Sequence, residues 1–107
     1  MRITDGSVIA VGPGKVALLE AVERNGSITA AAKSLDMSYR RAWLLLDELN
    51  HSLRQPAIES VKGGTHGGGC KLTAVGRDLV ALYRRIEQQA AVACRDDIRK
   101  LMSMLAR

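Results

Sequence analysis

Phenylalanine is missing from this 107-residue chain, and aromatic residues of any kind make up only 3% of it. A core must therefore be aliphatic, built from the Leu, Val, Ile, Ala and Met that dominate a 47% hydrophobic content. No apolar run approaches the ~18 residues of a membrane span. The N-terminus also lacks the basic stretch and apolar segment of a secretory signal. The sequence thus reads as one cytoplasmic domain with no membrane partner. Cysteine is scarce: Cys70 and Cys94 have no CxxC spacing, and in a cytosolic chain they read as free thiols. Acid is absent from Ser60 to Arg77, where Lys62, Lys71 and Arg77 are the charged residues. With a net charge of +5, that local excess suits a polyanionic partner.

Five glycines between Gly63 and Gly69 raise the question of a phosphate-binding enzyme. A P-loop needs GxxxxGK followed by Ser or Thr, so that amides wrap the phosphates, a lysine reaches them and a hydroxyl holds magnesium. Counted from Gly64, the pattern reaches Gly69 and then meets Cys70, with Lys71 and Leu72 behind it. The dinucleotide pattern GxGxxG fails at Leu72 after Gly67 and Gly69. His66 and Cys70 have the H-x3-C spacing of a metal half-site, but no second pair completes the tetrahedron zinc needs, and a loop histidine more often faces solvent. We expect no catalytic residues, no metal and no cofactor, hence no enzyme.

The remaining pattern is mainly helical with a small β component. MRITDGSVIAV places β-favouring residues on both sides of Asp5-Gly6, the signature of a short hairpin or strand. A helix follows with Val16, Leu19 and Val22 on one face, stopped by Gly26. Ser27 caps a short alanine-rich helix whose face is Ile28, Ala31, Ala32 and Leu35. Asp36-Met37 makes a tight turn, and Ser38 caps a third helix with Ala42, Leu46, Leu49 and Leu53 as its buried stripe. Pro56 ends it. AIESV and CKLT then read as two strands joined by the glycine loop, and Thr73 caps a long helix running toward Arg107. Residues 1–73 form the head and 74–107 the helix of one structural unit. The helix keeps Leu79, Leu82, Ile86, Ala90, Cys94, Ile98, Leu101 and Leu105 in register. So long a stripe exceeds what a core this small covers, which predicts a homodimer.

Two short helices across a tight turn, then a two-stranded ribbon, are the layout of a winged helix-turn-helix. The buried stripe leaves Tyr39, Arg40, Trp43, Leu44 and Asp47 facing outward. An arginine there offers guanine a bidentate fork, while Trp43 either meets DNA or packs against the body. Lys62, Thr65, His66 and Lys71 in the ribbon would touch phosphates or enter the minor groove.

The segments GSITAAA and MSYRRAW, and a GG-x-x-GGG ribbon ending in LTAVG, resemble the N-terminal DNA-binding domain of ModE-type molybdate-responsive regulators, and more distantly LysR-type winged helices. The resemblance covers nearly the whole chain. It implies a dimeric transcriptional regulator on double-stranded DNA, with a roughly palindromic operator. Tyr39, Arg40 and Trp43 would read bases, and Ser27, Ser38, Arg41 and the wing would hold phosphates. Full-length members carry oxyanion-binding domains that sense molybdate, and no pocket for it is found up to Arg107. The expectation is a stand-alone DNA binder whose effector is unknown. Two rivals remain: a protein-interaction adaptor, and a thiol- or metal-responsive sensor using Cys70 and Cys94.

Overall fold

The computed structural model describes residues 1–6, 8–61 and 69–106. β1 (Ile3–Asp5) and β2 (Val8–Val11) form an antiparallel hairpin, with the register slipping between Ile3 and Thr4. Gly6, at φ 64, takes the left-handed conformation its turn requires. α1 (Pro13–Asn25) begins on Pro13, whose missing N–H costs nothing at a helix start. It ends on Gly26 at φ 76, whose N–H donates to the Val22 carbonyl.

α2 (Ile28–Ser34) starts where the Ser27 Oγ accepts from the Ala30 N–H at 3.1 Å. The chain then reverses through Asp36, whose φ of 55 is left-handed. Aspartate tolerates that conformation better than most residues. α3 (Tyr39–Ser52) starts in the same manner as α2, the Ser38 Oγ accepting from the Arg41 N–H at 3.1 Å. β3 (Ile58–Val61) and β4 (Gly69–Leu72) pair antiparallel, with Glu59 opposite Lys71 and Ser60 opposite Cys70.

The core is aliphatic, as the composition requires. Val16, Leu18, Leu19 and Val22 of α1 meet Ala31 and Ala32 of α2, Ala42, Leu46 and Leu49 of α3, and Leu72 of β4. Alanine on α2 and at Ala42 lets the three helices approach closely. Leu53, expected in the stripe, is only half-buried because the helix has already ended at Ser52.

The strand pair is locked to its surroundings by several polar contacts. Asn50 Oδ1 accepts from the Ala57 N–H at 2.8 Å, tying the end of α3 to the start of β3. Thr73 caps α4 (Ala74–Ala93) by accepting from the Gly76 N–H, while its own hydroxyl donates to the Pro56 carbonyl at 2.7 Å. Two glycines mark close backbone approaches. A Cβ on Gly76 would lie 2.1 Å from the Ala57 oxygen, and one on Gly69 2.5 Å from the Gly26 oxygen. Gly76 thus lets α4 rest directly on the backbone of Ala57, just before β3, a physical reason for the glycine in LTAVG.

The long C-terminal helix is present, with a discontinuity that periodicity did not reveal. α4 stops at Ala93, Cys94 adopts φ −104 and ψ 19, and α5 (Arg95–Ser103) resumes. α5 buries no residue of its own. The arm gives the chain a radius of gyration of 16.2 Å, against about 13 Å for a compact domain of about 100 residues. No helix among the described residues is long and apolar enough to cross a membrane.

Candidate nucleic-acid interface

The buried line Ala42, Leu46 and Leu49 fixes how α3 is rotated against the body. Everything on the opposite side is presented outward: Tyr39 is 53% exposed, Trp43 45% and Leu44 49%, with Arg40 and Arg41 also exposed. Trp43 is therefore not a core residue. Asp47 continues the outward face and is joined by His51, whose Nδ1 lies 2.8 Å from the Asp47 carbonyl oxygen.

A groove of about 270 Å³ runs beside this ridge. Its walls are Ser27, Ile28 and Thr29 at the start of α2, Tyr39 and Trp43 of α3, and Ser60, Gly69 and Cys70 at the root of the ribbon. Ser27, Tyr39 and Trp43 of the expected site are brought together here. Thr29 and Ser60 are additions; nothing local in the sequence marks them. On the other flank, Ser38, Arg40, Arg41 and Leu44 line a second depression with Leu45 and Glu48. The hydroxyls of Ser27 and Ser38 accept from backbone N–H groups, and each retains its own O–H to donate.

Lys71 stands on the exposed face of β4, and its ammonium is 3.6 Å from the Glu59 carboxylate across the strand pair. Such an exposed pair holds by at most about 1 kcal/mol, so a phosphate can replace the carboxylate. Lys62, Thr65 and His66 lie outside the described residues. Cys70 is 7% exposed and burial pushes its thiol pKa up, which keeps it in the unreactive thiol form. Cys94 is exposed at the α4–α5 junction.

Two ion pairs orient the elements behind the ridge. Lys15 on α1, only 5% exposed, forms a close salt bridge with Glu48 of α3. Arg84 of α4 grips Glu20 of α1 through Nε at 3.2 Å and Nη2 at 2.5 Å, and holds Glu87 at 2.7 Å through Nη1. Its hydrogen bonds hold the Glu20 carboxyl below the usual carboxylate range.

Residues 14–77 match the family model of the lysR-family bacterial regulatory helix-turn-helix proteins. The chain belongs to that family. Among curated relatives, the molybdenum transport protein ModE of Azotobacter vinelandii is 45% identical over 78 residues, which are 73% of this chain and 29% of that protein. The DNA-binding transcriptional dual regulator ModE of Escherichia coli K12 is 37% identical over 98 residues, 88% of this chain and 37% of the relative. The chain thus spans about a third of the length of these relatives. Among solved structures, the DNA-binding domain of CbnR, crystallised with DNA, superimposes with a TM-score of 0.63 at 25% identity, covering 89% of this chain and all of that one. The ModE resemblance drawn from GSITAAA, MSYRRAW and LTAVG agrees with these matches.

Proposed function

We propose that this protein is a cytoplasmic, sequence-specific DNA-binding regulator of transcription that acts as a homodimer on a roughly palindromic operator. The observation that carries the reading is the ridge of Tyr39, Arg40 and Trp43, held outward by a capped helix and flanked by the groove at the ribbon root. A helix so presented enters the major groove N-terminus first, with Arg40 aimed at a guanine and Tyr39 and Trp43 beside it. Ser27, Ser38 and Arg41 meet phosphates on the flanks, and Lys71 does so from the ribbon together with Lys62, Thr65 and His66.

Homodimer formation is supported by the arm. Leu82, Ile86, Ile98, Leu101 and Leu105 are each more than 40% exposed. Beside the first two, an apolar groove of about 410 Å³ lies between Ile3, Val11, Leu53 and Leu79. Apolar surface of this extent favours a covering partner. With Ala90 on the same stripe, a second copy of the arm would supply one. The proposal includes no small-molecule effector and no catalytic activity.

The test is selection from a random duplex pool at two salt concentrations, with binding followed through Trp43, the one tryptophan in the chain. A palindromic motif, a change in Trp43 emission on binding and a steep salt dependence are expected. Roughly 0.9 logarithmic units of slope should accompany each phosphate neutralised. Absence of duplex binding at both salts would overturn the reading in favour of a protein-interaction adaptor.

A further inference from the structure

We infer that Trp43 and Leu44 are specificity determinants that read thymine through its 5-methyl group, an inference that rests on the DNA-binding reading above. Leu44 has no atom that can hydrogen-bond, and Trp43 has a single N–H donor. Yet 49% and 45% of these residues lie at the surface, on the same outward face as Arg40 and next to Arg41. The buried line Ala42, Leu46 and Leu49 prevents either side chain from turning inward without unpacking the helix.

Polar groups stand beside both side chains. Trp43 borders the groove whose rim carries the hydroxyls of Ser27, Thr29 and Ser60. Leu44 borders the depression formed with Ser38, Arg40, Arg41, Leu45 and Glu48. Hydroxyls and guanidinium groups suit phosphate and sugar, whereas an aliphatic side chain gains nothing from either. On the floor of the major groove the bases present donors, acceptors and one apolar group, the thymine methyl. With Arg40 committed to guanine and Trp43 and Leu44 to methyl groups, one helical turn reads two kinds of base pair by different chemistry. The operator half-site should then contain thymines at fixed positions beside the guanine.

Replacing thymine by deoxyuracil removes only the methyl and leaves pairing and the hydrogen-bonding edge intact. The experiment takes the operator recovered by selection, replaces each thymine in turn, and titrates the full chain and its Trp43→Ala, Trp43→Phe and Leu44→Ala variants. Burial of one methyl corresponds to about fourfold in affinity. The wild-type chain should lose about that factor at one or two positions per half-site. Trp43→Ala or Leu44→Ala should bind thymine and uracil equally at one of those positions, and Trp43→Phe should keep the discrimination. Thermal melts of the variants report their folding, and the wild-type series needs no variant.

Three results would overturn the inference. An operator that binds equally well with uracil at every position would do so while leaving sequence-specific DNA binding standing. Full methyl discrimination by both alanine variants would assign the reading to other residues, and the ridge would then suit a protein partner. If no operator emerges from selection, the DNA-reading proposal falls and this inference with it.

Discussion

Gly76→Ala tests how the arm is seated on the winged domain, because helix propensity and packing make opposite demands there. An alanine in the first turn of α4 would by propensity alone stabilise the helix by up to about 1 kcal/mol. Its Cβ, however, would lie 2.1 Å from the Ala57 oxygen and 3.0 Å from the Ala57 carbonyl carbon. Both are backbone atoms that cannot swing aside. The same Ala57 oxygen accepts from the Thr73 N–H at 2.9 Å, so moving it also stretches the bond that anchors the helix cap. Overpacking of this kind costs about 1–3 kcal/mol, and the strained hydrogen bond about 1 more.

Packing wins, for a net loss of about 1–3 kcal/mol. In a domain of this size that lowers Tm by roughly 5–20 °C. Gly14→Ala is the internal control: it lies in the first turn of α1, where a Cβ meets nothing within 4 Å. It should be neutral or raise Tm slightly. Differential scanning calorimetry of the two variants beside the wild type decides the matter. A Gly76→Ala chain that melts at or above the wild type would mean that α4 does not rest on the Ala57 backbone.

Three further outcomes are expected. Arg40→Ala should weaken the selected operator by about 1–3 kcal/mol and random duplex far less, as read by competition titrations; equal losses on both would show that Arg40 contacts only phosphate. Lys71→Ala should flatten the salt slope by about one unit, whereas Glu59→Gln, which removes the partner 3.6 Å away, should tighten binding to every duplex; an unchanged Glu59→Gln affinity would place the ribbon face away from DNA. Because Glu20 titrates below its ordinary value of 4.5 when folded, its contribution is present above that pH and is lost as pH falls through the folded value. Urea denaturation should therefore find Glu20→Gln less stable than the wild type at pH 7 and the gap narrowed at pH 3.5, and a gap independent of pH would refute the Arg84 clamp.

The features that were legible in the sequence are those whose cause lies within one helical turn. Ser27, Ser38 and Thr73 each accept from the N–H three residues on, and Gly26 closes α1 on Val22 four residues back. Residue type and spacing carry that information directly. The outward face of α3 followed for the same reason, since naming Ala42, Leu46 and Leu49 as buried leaves Tyr39, Arg40 and Trp43 on the other side. Whether Trp43 was covered by another element depended on the ribbon, and periodicity is silent about that. The Cys94 discontinuity was also invisible: no Pro or Gly marks it, and the Cys94 and Ile98 N–H groups still donate to Ala90 and Cys94. Lys15–Glu48 and Glu20–Arg84 join residues 33 and 64 positions apart, a pairing that only the packed helices create.

The spacing of the glycine run already ruled out a nucleotide-phosphate loop, but it did not say why each glycine is there. Gly69, at the end of that run, has an internal reason to be glycine. Its backbone lies against the Gly26 carbonyl, and the adjacent Cys70 N–H donates to that same oxygen at 3.0 Å. The ribbon root is thereby fastened to the turn between α1 and α2, beside the Ser27 cap. Ser27, Ser60 and Trp43 can line one groove only because this contact holds the ribbon close to the helices. Gly69 thus shapes the groove through its packing against Gly26.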